Sequence, residues 1–174
     1  SGIPIESTDR GDDFPVIMAG GPTCTNPIPL KNFIDLFLIG DYEPIHEEFM
    51  NILMDSRNKG EFLENVKQIP SIYVPSNDTK EIKKSVIRNL DSSFHPIMQI
   101  VPLTDSKNGK NIPFQDSMLV EVSRGCLRNC NFCMIGWQAK PFRKRSLKKL
   151  KTIILDGMEI NQVKKVILIG AGIS

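Results

Sequence analysis

The sequence predicts an α/β protein built in two parts, and three observations carry that reading. Short apolar runs end repeatedly at glycine, as buried parallel strands do. Segments between them repeat apolar residues at helical spacing. Near the end, a strand-like stretch leads into a cysteine-rich loop, then a helix, then a second strand closing on glycine. Strands alternating with helices in this way make parallel sheets.

The elements follow in order. Residues 1–14 are polar and charged (Glu6, Asp9, Arg10, Asp12, Asp13) and read as loop or frayed helix. Residues 14–19 form an apolar run that stops at Gly20-Gly21-Pro22, a strong turn signal. Pro27 and Pro29 follow, then a short helix over residues 30–33. Residues 34–39 are the next strand, ending at Gly40. Asp41 to Pro44 opens a helix whose apolar face is Ile45, Phe49, Ile52 and Leu53, and Lys59-Gly60 closes it. Glycines at the carboxyl ends of such strands lie where open α/β sheets bind ligands. The plainer reading of Gly20 and Gly21 is a tight turn without a ligand, and His46 reads as a surface residue of its helix.

Residues 61–116 read as a connector. Phe62, Val66 and Ile69 suggest a short helix ending before Pro70. Residues 71–75 suggest an edge strand flanked by prolines. Ile82, Val86 and Leu90 suggest an amphipathic turn or two. Pro96, Pro102 and Pro113, with a turn at Asn108-Gly109, argue for an extended linker.

Residues 117–123 alternate as a strand should. Gly125 then lets the backbone turn tightly. Ser146 is the N-cap of a helix with the buried stripe Leu147, Leu150, Ile154 and Met158. Residues 162–169 form the following strand, closed by Gly170-Ala171-Gly172. Lys140, Arg143, Lys144, Arg145, Lys148, Lys149 and Lys151 make a basic stretch. It reads first as the solvated face of this helix. A patch for an anionic partner such as RNA is the sharper alternative, disfavoured by a near-neutral chain and by the lack of interleaved aromatics.

The chain has 174 residues, 40% hydrophobic and 24% charged, with a net charge of +2. That is the composition of an ordinary globular protein, and it gives no global electrostatic case for nucleic acid. No apolar run approaches the roughly 20 residues of a membrane span, and nothing at the N-terminus reads as a signal peptide. Reduced cysteines at metal-ligand spacing argue for the cytoplasm. A start at Ser1, and an end just past a strand and two glycines, lead to the expectation of a fragment. Three segments are expected: 1–60, the end of one α/β domain; 61–116, the connector; and 117–174, the start of a parallel α/β barrel.

The chemistry concentrates in Cys126-Leu-Arg-Asn-Cys130-Asn-Phe-Cys133. Three thiolates at CxxxCxxC spacing can wrap one corner of an iron–sulfur cluster, which usually takes four. The fourth cysteine, Cys24, lies far upstream and reads as a small semi-buried residue. The two histidines, His46 and His95, are also remote. A cluster held by three cysteines keeps one iron without a protein ligand, as a catalytic metal keeps a position open. A closed zinc site would want a fourth ligand nearby, and the grouping does not suit a secreted disulfide framework.

This motif, with Phe132 before its third cysteine and residues 120–126 leading into it, resembles the signature of radical S-adenosylmethionine (radical SAM) enzymes. The resemblance implies a 4Fe-4S cluster on Cys126, Cys130 and Cys133, whose open iron binds the amino and carboxylate groups of SAM. It implies one-electron cleavage to methionine and a 5′-deoxyadenosyl radical, which takes hydrogen from a substrate. An electron donor such as a flavodoxin or ferredoxin would supply the electron. Phe132 would lie near the adenine, and Gly170, Ala171 and Gly172 would meet the methionine end of SAM, although that turn in the family usually reads Gly-Gly-Glu. Arg143 and Arg145 match a frequent R-x-R-S after the loop and are expected to be partly structural.

Upstream, Gly20-Gly21-Pro22, Asn26-Pro27 and residues 39–43 resemble the second half of the cobalamin-binding-like domain that precedes the barrel in one branch of the family. Tyr42 stands where glycine is usual. The fold implied is the end of a Rossmann-like, cobalamin-binding-type domain followed by the start of a radical SAM barrel. Cobalamin is thereby a candidate cofactor, although the cobalt-ligating histidine of such domains belongs to an earlier loop. Such a fragment is expected to show no turnover by itself. A methylthiotransferase acting on tRNA or ribosomal protein is the alternative enzyme, but it would carry three further N-terminal cysteines. A non-catalytic iron–sulfur or zinc module is the alternative of another class.

Overall fold

The computed structural model describes residues 2–75, 81–101, 113–128 and 130–172. The expected turn at Asn108-Gly109 lies outside the described residues. The chain divides into two compact units, Ser1–Ile87 and Arg88–Ser174, each mixed α/β with small sheets.

In the first unit β1 (Met18–Ala19), β2 (Leu36–Leu38) and β3 (Ile72–Tyr73) form one sheet. β2 is central, parallel to β1 and antiparallel to β3. Helices α1 (His46–Asp55) and α2 (Lys59–Val66) cover one face. There Leu36, Leu38, Ile72 and Val74 pack with Ile45, Phe49, Ile52, Phe62, Val66 and Ile69. Burying each such side chain is worth about 1.5–3 kcal/mol. Phe49 and Phe62 meet edge to face, 5.6 Å between ring centres, and join the two helices. Because side chains alternate along a strand, Phe37, Ile39 and Tyr73 point to the opposite face, where they pack with Cys24.

The expected strands are present but shorter. The helix expected over residues 30–33 is instead a 3-10 turn at Ile28–Leu30. Lys59-Gly60 opens a helix rather than closing one. α1 has already ended at Asp55, and the Asn58 side chain accepts the Glu61 N–H as the N-cap of α2. Residues 82–86 form no helix: Ser85 bridges in parallel to Gly40.

A buried ionic knot ties this unit together. Asp35, at the entry to β2, meets Arg10 at 3.2 Å and Lys59 at 3.4 Å, and it accepts the Ile17 N–H at 2.7 Å. Arg10 also donates to the carbonyls of Pro4, Ile5 and Phe33.

In the second unit β4 (Ser117–Glu121) pairs in parallel with β7 (Lys165–Ile169), and α4 (Leu147–Asn161) connects them across one face. Met118, Val120, Val122, Ile153 and Val163 form the core, with Leu150, Ile154, Met158 and Val166 against it. Ser146 caps α4 as expected, accepting the Lys149 N–H at 3.1 Å. Leu147 does not join the buried stripe: it is 85% exposed, because the first turn of α4 lies beyond the strand core. The last strand starts later than expected, since Gln162 ends α4 in the left-handed region (φ 52°). The Val163 N–H reaches back to the Met158 carbonyl, which makes a Schellman closure.

Among the described residues, side chains occupy the other edge of β4. Gln99 accepts the Leu119 N–H and donates to its carbonyl. His95 Nε2 accepts the Glu121 N–H at 3.1 Å, and Arg145 Nε donates to the Glu121 carbonyl at 3.0 Å. Arg145, 2% exposed, also holds the carbonyls of Leu90 and Ser93 and the Glu121 carboxylate. It therefore fastens the 3-10 turn Leu90–Ser92 to the strand.

His95 accepts at Nε2, so its ring is neutral, with the Nδ1 proton toward the Pro96 carbonyl. Burial, and then the positive charge of Arg145, lower its pKa from the usual 6.5, against the Pro96 hydrogen bond and Glu121. A depressed folded pKa means that the unfolded chain takes up more protons as pH falls. The stabilisation is complete above the unfolded value of about 6.5 and is lost as pH drops through the folded one. Urea unfolding of wild type and His95→Gln between pH 7.5 and 5 should show the stability gap narrowing toward acid. A gap constant across that range would contradict the neutral-acceptor role.

Candidate functional site

The cysteine loop grows from a short two-stranded stem. β5 (Ser123–Arg124) pairs antiparallel with β6 (Arg143–Lys144), in register Ser123↔Lys144 and Arg124↔Arg143. The stem forms because the chain leaves β4 at Val122, whose N–H bonds to the Ile169 carbonyl and whose carbonyl accepts the Arg145 N–H. Gly125 then turns at φ +83°. A Cβ there would stand 2.4 Å from the Ala139 carbonyl oxygen and 2.8 Å from that of Pro141. Arg143 is buried and donates to the same Ala139 carbonyl at 3.2 Å, which fixes the returning segment.

Beyond Gly125 the three cysteines are half-exposed free thiols. The Cys133 N–H bonds to the Cys130 carbonyl at 3.0 Å, and the Arg128 N–H points at Cys126 Sγ at 3.4 Å. A short helix, α3 (Ile135–Gln138), follows. Phe132 is 91% exposed. A cavity of about 500 Å³ beside Cys126 is lined by Leu127, Lys140, Pro141 and Phe142. Gly170 is half-buried and Ala171 exposed at the end of β7. A Cβ on Gly172 would lie 3.3 Å from Cys126 Sγ, so the turn sits close against the thiol and a larger residue would make the thiol shift. The structure thus brings Cys126 and Gly172 together at the carboxyl ends of parallel strands. Among the described residues, no three Cys, His, Asp or Glu side chains converge closely enough to hold a metal. In donor chemistry the loop fits a thiolate-held cluster: three unpaired thiols, a fixed stem and a glycine cradle.

The first unit offers less. Cys24 is buried there, its thiol directed at the Gly20 carbonyl at 3.3 Å. His46 is an exposed residue of α1 whose ring meets Tyr42 edge to face. At Gly40 (φ +111°) the position of a Cβ is taken by the Ser85 backbone, 2.1 Å away. This glycine serves the chain's own close approach, and Ser85 and Asp41 hydrogen-bond across it.

Asp35, His95, Gln99 and Arg145 hold the two units' strands, and only Arg145 carries a sequence signal, the R-x-R-S.

Residues 1–75 match the family model described as radical SAM proteins, N-terminal. That segment is thus similar to the N-terminal part of radical SAM proteins, the family that the cysteine motif also resembles. An uncharacterized protein of Methanocaldococcus jannaschii is 28% identical over 170 residues, covering 97% of this chain and 34% of that protein. The chain thus spans about a third of the length of this curated relative. No solved structure matches. No helix among the described residues is long and apolar enough to cross a membrane.

Proposed function

We propose that the chain carries the cofactor end of a radical SAM enzyme. Cys126, Cys130 and Cys133 hold a 4Fe-4S cluster, and Phe132 with Gly170, Ala171 and Gly172 receives SAM. The observation that supports this most is the closeness of Gly172 to Cys126, whose Sγ would stand 3.3 Å from a Cβ added at that glycine. It sets the turn after β7 against the cysteine loop at the carboxyl ends of a parallel pair, where α/β folds bind ligands. In this reading β4, α4 and β7 are the opening of the barrel, and the first unit is the end of a Rossmann-like domain. The reading is built on the cysteine loop alone and assigns no residue to cobalamin.

When bound, the cluster and SAM supply one-electron cleavage to methionine and a 5′-deoxyadenosyl radical. The chain's own residues do the rest. The β5–β6 stem fixes Cys126. Cys130 and Cys133, half-exposed, would complete the ligand set with Cys126, since metal binding and local folding are coupled. Gly172 keeps its backbone bare for the SAM amino group, and Phe132 offers a ring to the adenine.

The test is electron paramagnetic resonance of the anaerobically reconstituted, dithionite-reduced chain, with and without SAM. We expect a 4Fe-4S signal that shifts on adding SAM and is absent in Cys130→Ala. A cluster indifferent to SAM would point to an electron-transfer or structural module. Zinc without iron would refute the reading outright.

A further inference from the structure

We propose that Gly136 is a positioning residue for the cysteine loop: through Arg128 it directs a backbone N–H at Cys126 Sγ and thereby raises the reduction potential of a cluster held there. The inference deepens the reading above and rests on it. Its first sign is in the sequence. Helix interiors disfavour glycine relative to alanine, yet Gly136 stands inside the four-residue helix α3, where it is buried. The reason is a close approach. A Cβ at Gly136 would stand 2.8 Å from the Arg128 carbonyl oxygen. That oxygen is main chain, so it cannot swing aside as the end of a side chain would. Arg128 lies between Cys126 and Cys130, and its N–H points at Cys126 Sγ at 3.4 Å. Carbonyl and N–H belong to one residue, so displacing the first turns the second.

The helix is itself held from outside the loop. The Ala139 N–H closes on the Ile135 carbonyl at 3.1 Å. The Ala139 carbonyl packs against Gly125 and accepts from Arg143 at 3.2 Å. Lys140 Nζ lies 4.1 Å from the centre of the Trp137 ring and ties the helix to the segment that follows. α3 is thus a strut between the β5–β6 stem and the loop, and Gly136 is where it bears on the loop. A sulfur ligand gains negative charge when its cluster is reduced, so a donor aimed at it favours the reduced form. Hydrogen bonds to the sulfurs are among the influences that set such potentials, and those made to charged acceptors are the stronger kind. Reduction adds one electron from the external reductant, and no proton or group moves at this peptide.

The metal-free whole chain gives the first test. Hydrogen exchange at the Arg128 amide, read by NMR, should be slowed in wild type. It should quicken by about tenfold or more in Gly136→Ala, and likewise in Cys126→Ala, which removes the acceptor. In the reconstituted chain, a dithionite titration followed by electron paramagnetic resonance gives the midpoint potential. Gly136→Ala, and Arg128→Pro, which deletes the N–H itself, should each shift the oxidised-to-reduced ratio at fixed potential about tenfold toward oxidised. That is a drop of about 59 mV for one electron. Gly11→Ala, in the first unit with nothing within 4 Å of the added atom, should leave both readouts unchanged. Equal Arg128 exchange in wild type and Gly136→Ala would overturn the inference whether or not the variants load iron. A wild-type midpoint in either loaded variant would reduce α3 to plain packing and overturn it as well. A wild-type chain without a SAM-responsive 4Fe-4S signal would instead remove the enzyme reading, while the exchange comparison still judges the strut by itself.

Discussion

Gly125→Ala is expected to prevent cluster assembly while leaving the first unit folded. Two independent costs act at this position. The first is backbone strain, since φ +83° is a region that side-chain-bearing residues rarely adopt and that costs about 1–3 kcal/mol. The second is steric. The new Cβ would stand 2.4 Å from the Ala139 oxygen and 2.8 Å from the Pro141 oxygen. Neither carbonyl belongs to a flexible side chain. Arg143 holds the Ala139 carbonyl, and the segment continues directly into β6. The cheapest relief is to open the β5–β6 stem, which moves Cys126 away from Gly172. Outer-shell changes of this kind typically cost about 10–100-fold in metal affinity. The iron-to-protein ratio after reconstitution and repurification should therefore collapse. Gly21→Ala is the control: φ is +97°, but nothing lies within 4 Å of the added atom. It should lose some stability and load iron normally. Wild-type iron content in Gly125→Ala would show that the stem does not position the thiols.

Local signals in this sequence were more legible than the packing that supports them. The cysteine spacing, the glycine after the strand and the Ser146 cap are local signals, and the last two appear in the structure where they were read. Local signals fail where the deciding contact is distant. Lys59-Gly60 looks like a helix end, yet Asn58 and Glu61 make it a start. Gln162 lacks the glycine that marks a left-handed helix end, so the last strand read too long. Gly40 looked like a ligand-facing strand end, whereas the approach that requires it comes from Ser85, 45 residues on in an extended segment. The edge of β4 is satisfied by Gln99 and His95, whose pattern resembles no strand. Convergence of three thiols is of the same kind, because in thiolate sites the metal itself supplies the free energy that gathers the ligands.

Asp35→Leu is expected to unfold or severely loosen the first unit, and it tests the largest electrostatic feature that the sequence concealed. Asp35 and Arg10 are separated by 25 residues and their side chains are nearly fully buried, as is the Lys59 ammonium. Removing the carboxylate leaves two buried cations without their counter-charge and the Ile17 N–H without its acceptor. Breaking a buried pair from one side typically costs about 3–5 kcal/mol, and an unsatisfied buried donor adds about 1–3 kcal/mol. A unit of this size holds only about 5–15 kcal/mol in total. Arg10 keeps its three carbonyl partners, which limits the loss at that end. Among the described residues Lys59 keeps just the Arg10 carbonyl at 3.2 Å, so it is the more damaging orphan. This asymmetry makes a sharper prediction than the loss alone. Lys59→Met in the Asp35→Leu background should restore part of the stability, whereas Lys59→Met in wild type should reduce it. Hydrogen exchange of the β2 amides, read for the two single variants and the double variant, gives the coupling directly. Additive effects, or protection in Asp35→Leu equal to wild type, would mean that the apolar packing of β2 against α1 and α2 holds the unit without the ionic knot.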